Sequence, residues 1–96
     1  MKAQKKPIII DYYPIKKGLD IGELEDWMKS FGDNFKDHLS GWDELEIKIK
    51  VKTLEGISYN LTDEDVLIRG IKGEYYPCKK DIFVQTYDLL SIKNLT

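Results

Sequence analysis

Residues 44 to 53 alternate between charged and apolar side chains, with Leu45, Ile47, Ile49 and Val51 on one face and Glu44, Glu46, Lys48, Lys50 and Lys52 on the other. A period of two over a run this long predicts a strand with one buried and one wet face. Leu54-Glu55-Gly56 then closes a hairpin into Ile57, Tyr59 and Leu61, which alternate again, and Thr62 to Asp65 makes an acidic turn. Upstream, Pro7 to Tyr13 is apolar and β-branched up to Asp11 and aromatic after it, and reads as a first strand stopped by Pro14. The period changes at Asp20. Ile21, Leu24, Trp27, Met28 and Phe31 recur at helical spacing behind an Asp20 cap with Glu23 as its capping-box partner, and Gly32 supplies the left-handed residue that ends the helix. Residues 33 to 42 read as a loop or a single turn, because Asp33, Asn34 and Asp37 favour turns and Ser40-Gly41 breaks the spacing of Phe35, Leu39 and Trp42.

A second hairpin is predicted from Asp65 to Ile71 and from Glu74 to Pro77, around Lys72-Gly73. A two-residue turn there sets Ile71 opposite Glu74, Gly70 opposite Tyr75 and Arg69 opposite Tyr76. Leu67, Arg69, Ile71, Glu74 and Tyr76 then share one face, and Gly70 leaves a flat spot for the Tyr75 ring. Pro77 ends the strand, Asp81 caps a last helix, and Phe83, Thr86, Tyr87 and Leu90 form its inward stripe. The parts predict one α+β domain over residues 1–96, with 1–6 and 91–96 frayed. The expected architecture is an antiparallel sheet of four to five strands. Two amphipathic helices cover the face that carries Leu45, Ile47, Ile49 and Val51, leaving the other face as the working surface.

Composition narrows the function classes. At 96 residues and 42% hydrophobic the chain builds one modest core, and it holds no apolar run long enough to span a bilayer. Ile8-Ile9-Ile10 is too short for the apolar part of a signal peptide, so a cytoplasmic protein without a membrane partner is expected. The single cysteine, Cys78, has no partner for an internal disulfide, which suits a reducing compartment. A net charge of −2 argues against a domain that neutralises nucleic-acid phosphates. Of 15 cationic residues only Arg69 is an arginine, the residue that makes forked contacts to phosphates and base edges.

Catalytic constellations are sparse. One His and one Cys do not make a zinc shell, and Asp63-Glu64-Asp65 lacks the spacing of a calcium loop, so no metal and no cofactor is expected. His38 is far from Cys78 in sequence, with no nucleophile signature around either. Cys78 precedes a helix start, where a dipole lowers a thiol pKa, but its plainer role is to fill a strand-to-helix corner. Glu55 and Glu74, at hairpin turns, could in principle act as acid and base, but exposed carboxylates at turns are by default plain surface groups. Gly70-Ile71-Lys72-Gly73 is explained as a hairpin turn better than as a phosphate loop. A non-enzymatic protein is the resulting expectation.

The run Ile68-Arg69-Gly70-Ile71-Lys72-Gly73-Glu74-Tyr75-Tyr76-Pro77-Cys78-Lys79-Lys80-Asp81-Ile82-Phe83 resembles the tail of a small family of phage and prophage proteins, typically I-(K/R)-G-V-K-G-E-(F/Y)-Y-P-C-K-x-D-I-F-x-x-T-Y. Lys5-Lys6-Pro7-Ile8-Ile9-Ile10-Asp11 resembles that family's opening, and Lys52-Thr53-Leu54-Glu55-Gly56 its central hairpin. The chain departs from the family at Thr62 to Asp65, where Pro-Gly-Asp is usual, so the bend must be held another way, by Asp63 or Asp65. The resemblance implies a phage-encoded protein in the host cytoplasm and carries no activity with it.

Three surfaces are candidates for recognition. The first groups Arg69, Glu74 and Tyr76, with Lys72 at the rim and Tyr75 from the opposite face, where a guanidinium across from a tyrosine holds a planar or anionic group. Its structural alternative has Arg69 packed along Tyr76 and paired with Glu74. The second is the charged ladder of residues 44 to 52, which protects a sheet edge or docks onto a host protein. The third is whichever of Tyr12 and Tyr13 is left outside the core, since adjacent strand residues point to opposite faces; homodimerisation is expected of so small a chain. Two function classes stay open: a protein-binding module, such as an inhibitor of a host defence protein, and a binder of a small anionic or nucleotide ligand at an oligomer interface. A regulator that contacts nucleic acid is disfavoured by charge.

Overall fold

The computed structural model describes residues 1–4, 6–41 and 49–88. Among the described residues the chain is an α+β domain with two three-stranded antiparallel sheets instead of one sheet of four to five strands. The first sheet has the order β1-β5-β6, from β1 (Asp11–Pro14), β5 (Asp65–Arg69) and β6 (Tyr75–Lys79). The second has the order β2-β3-β4, from β2 (Leu39–Ser40), β3 (Ile49–Lys52) and β4 (Ser58–Leu61). Helices α1 (Ile21–Lys29), α2 (Phe35–His38) and α3 (Lys80–Thr86) complete it. Leu45 and Ile47, Glu44, Glu46 and Lys48 of the predicted ladder, and Leu90 with the tail 91–96, lie outside the described residues.

Helix α1 begins where Asp20 accepts from the backbone N–H groups of Gly22 (2.8 Å) and Glu23 (3.4 Å). It ends in a Schellman turn: Asp33 N–H donates to Met28 O and Gly32 N–H to Lys29 O, with Gly32 at φ +82°. That turn delivers Asp33 to the start of α2, a single turn capped by the Asn34 side chain.

The first sheet is covered on both faces, and this replaces the expectation that both long helices share one face. Leu67 and Tyr75 point toward α1 and the second sheet, in a core with Leu24, Met28, Ile49, Val51 and Leu61. Val66 and Ile68 point the other way, onto Phe83 of α3. Tyr13 and Tyr12 follow the same split. Tyr13 packs on Trp27 at 5.4 Å and Tyr12 on Phe83 at 4.6 Å, so neither is left over for a partner. Strand β1 starts at Asp11, leaving Ile8 and Ile9 exposed ahead of it.

Both hairpins use one turn. Thr53 N–H donates to Ile57 O and Gly56 N–H to Thr53 O; likewise Gly70 N–H donates to Glu74 O and Gly73 N–H to Gly70 O. Gly56 (φ +80°) and Gly73 (φ +76°) take the left-handed position of a three-residue loop. The second loop is therefore Ile71-Lys72-Gly73, one residue longer than expected, and Arg69 pairs with Tyr75 while Ile68 pairs with Tyr76. A shift of one residue moves every side chain of β6 to the opposite face. Strand β6 also runs through Pro77, which lies opposite Leu67 on a sheet edge, where a missing N–H costs no ladder bond. On β4 only Leu61 of the predicted Ile57, Tyr59 and Leu61 stripe is buried.

The bend at Thr62 to Asp65 is held by Asp65. Its buried carboxylate accepts from Thr62 N–H (2.8 Å) and Oγ1 (3.0 Å), and its own N–H donates to Thr62 O. Lys80 Nζ donates to Ile15 O (2.6 Å) and Asp63 O (2.8 Å), binding this turn to the end of β1 and the start of α3. Asp81 does not cap α3: the cap position is Lys79, and Asp81 sits in the first turn with Oδ1 accepting from Ile82 N–H. Asp65→Ala is expected to cost about 1–3 kcal/mol in chemical denaturation, because it strands the Thr62 donors at a part-buried turn. A loss below a few tenths would show that the turn holds without the carboxylate.

Candidate functional site

Arg69 leaves β5 on the same face as Tyr75 of β6, and both reach the loop that follows α1. Asp33 Oδ2 accepts from Arg69 Nε at 2.9 Å and from the Tyr75 hydroxyl at 2.6 Å. The guanidinium carbon lies 4.6 Å from the centroid of the Phe31 ring, a cation–π contact made by a residue two positions before Asp33. His38 packs on Tyr75 at 4.6 Å, and Trp27 meets both Phe31 (5.3 Å) and Tyr75 (6.1 Å) edge to face.

The electrostatics follow from this sharing. Burial on its own raises the Asp33 carboxyl, but the hydrogen bonds from Arg69 and Tyr75, with the charges of Arg69 and His38, hold it below the usual carboxylate range. The hydrogen bond to Asp33 raises Arg69 further, and burial followed by the Asp33 bond pushes the Tyr75 hydroxyl well above its ordinary value. One carboxylate oxygen thus accepts from both the guanidinium Nε–H and the phenol of the cluster.

The predicted recognition cluster is therefore divided. Tyr76 belongs to the face opposite Arg69, packs toward Phe83 and Tyr87, and has its hydroxyl pushed up to about 12 by burial and then by a hydrogen bond with Tyr87. Glu74 does not pair with Arg69. Its side chain folds over Gly70, filling the space a Cβ there would need, and Oε1 accepts from Lys72 N–H at 3.3 Å. The Gly70 flat spot is thus occupied by Glu74 and not by the Tyr75 ring. Lys72 is exposed in the turn. Asp33, Phe31, His38 and Trp27 were absent from the predicted cluster. The signal available for Asp33 was the lone arginine on a half-buried strand, which needs a carboxylate, and the Gly32 turn that projects the next side chain.

Beside this cluster lies an open groove of about 1380 Å³. Ile9, Leu54, Tyr59, Ile71 and Tyr76 are among its lining residues. Leu54 and Ile71, at the tips of the two hairpins, are 70% and 68% exposed. Glu74 and Tyr75 also line it, but Tyr75 is 1% exposed. Cys78 is half-buried against Val66, Ile68 and Phe83, and burial, followed by the charges of Asp65 and Asp81, pushes its thiol up. A raised thiol is a poor nucleophile at neutral pH. Among the described residues no helix is long and apolar enough to cross a membrane.

Comparison of the chain with models of protein families, with curated proteins and with solved structures found no match.

A carboxyl held low by folding contributes stability at neutral pH, and the contribution fades as the pH falls from the ordinary carboxylate range through the folded value. Asp33→Asn is expected to cost about 1–3 kcal/mol at neutral pH. Denaturation midpoints measured across pH should begin to converge with wild type as the pH falls below about 4. Parallel curves at all pH values would show that the Asp33 charge does not hold the fold.

Proposed function

We propose that this is a non-enzymatic, phage-encoded accessory protein that acts in the host cytoplasm by binding a host protein, with inhibition of a defence protein as one form of that role. The observation that carries the reading is the pairing of an apolar, accessible groove with a cation already engaged. Leu54 and Ile71 stand largely exposed at the mouth of the groove, while the single arginine is held by Asp33 and stacked on Phe31. The forked contact by which an arginine takes a phosphate or nucleotide needs the guanidinium free to face the ligand. A protein surface with an apolar core and charged rim suits Leu54, Ile71 and Ile9, with Lys6, Asp11 and Glu55 around them. The resemblance of the Ile68 to Phe83 run to phage proteins supports the host-directed part of the reading.

Affinity capture from a bacterial lysate, paired with native mass spectrometry of the gently purified protein, tests this. Wild type is expected to retain one host protein stoichiometrically. Leu54→Asp and Ile71→Asp should each reduce capture at least about tenfold, the scale of losing 1.4 kcal/mol or more at an interface anchor. Their melting temperatures should stay near wild type. A protein that captures nothing but carries a small molecule of a few hundred daltons would replace this reading with the ligand-binding class.

A further inference from the structure

The four outer edges of the two sheets are not equally guarded. Strand β1 carries Pro14, β6 carries Pro77, and β2 is two residues long and followed by Gly41 at φ +69°. Strand β4 is Ser58-Tyr59-Asn60-Leu61, with no charge and no proline, and among the described residues nothing pairs with its outer edge. The hydrogen bond from Thr53 N–H to Ile57 O sets which backbone groups of β4 face which way. Bonded and non-bonded pairs alternate along an antiparallel ladder, so Val51–Tyr59 and Ile49–Leu61 are bonded pairs, and Ser58 and Asn60 aim their N–H and C=O away from β3. Two donors and two acceptors thus stand symmetrically about Tyr59.

From this symmetry we infer that β4 is a self-pairing edge, through which two copies of the chain join their second sheets into one six-stranded antiparallel sheet about a two-fold axis at Tyr59. Ser58 of one copy then exchanges both backbone hydrogen bonds with Asn60 of the other, and Asn60 with Ser58, giving four in all. The two Tyr59 side chains meet as a close non-bonded pair on the face shared with Val51, and Ile57 of each copy comes beside Leu61 of the other. This covers the apolar row that the monomer leaves open, since Tyr59 is 44% and Ile57 52% exposed although both continue the row of buried Ile49 and Val51. Lys50 and Lys52 do not oppose the pairing. They lie on the other face, and three strand spacings, about 14 Å, separate the two lysine columns, which is beyond the screening length in physiological salt. A second copy fits this edge better than an unrelated strand because donors, acceptors and side chains are all self-complementary there.

Tyr59 also lines the groove, but the pairing is carried by the backbone of β4, and sedimentation velocity over a range of protein concentrations, together with amide hydrogen exchange, tests it separately. Wild type should shift from monomer to dimer as concentration rises, with the Ser58 and Asn60 amides slowing in step while the Tyr59 amide, already bonded to β3, does not change. Asn60→Pro removes an outward N–H at an edge position that tolerates proline, and Tyr59→Lys sets two cations face to face on the axis. Either variant should leave a folded monomer, and Leu54→Asp should leave the dimer intact. A wild type that stays monomeric at every concentration, or a dimer that survives both variants, overturns the inference.

Discussion

One carboxylate, Asp33, joins the helical part of this domain to its first sheet. The Schellman turn after α1 places it, and Arg69 and Tyr75, from paired positions on β5 and β6, both donate to the same oxygen. Remove the acceptor and a guanidinium and a phenol are left facing each other in a partly buried corner between Phe31, Trp27 and His38. Such groups cost far more unpaired than they contribute when paired, so the arrangement fixes how α1 and the first sheet meet.

That constraint also decides what the surface can do. The only arginine of the chain is paired with Asp33, and Leu54 and Ile71, at two hairpin tips, stand exposed in the groove nearby. Recognition by shape and apolar contact follows more directly from such a surface than recognition of an anion. The two hairpins are built alike, each with a glycine in the left-handed position of a three-residue loop, and this brings Leu54 and Ile71 to equivalent exposed places.

Much of the fold was legible in the chain. The helical period from Ile21 to Met28, the Asp20 cap, the Gly32 terminus and the alternation from Ile49 to Lys52 all report local physics, which acts within a few residues. The role of Asp65 at the Thr62 turn could be reached the same way. What could not be read was set by distant partners or by a single residue of register. Lys72-Gly73 satisfies a two-residue turn, yet the chain uses Ile71 as well, and that one step exchanges Tyr75 for Tyr76 beside Arg69. Asp33 resembles any turn former until β5 and β6 are folded against it. The division into two sheets, with α1 and α3 on opposite faces of the first, depends on contacts between elements and not on the pattern within any of them.

Because Arg69 is the only arginine, its Nε–H gives one identifiable signal in a nitrogen-resolved NMR spectrum. Titrating inorganic phosphate and a nucleoside monophosphate while following that signal tests whether the cation is held inside the fold. A protected resonance that neither ligand moves is the result this account predicts. A saturable shift of the Arg69 signal with either ligand would contradict it and make the guanidinium a recognition group.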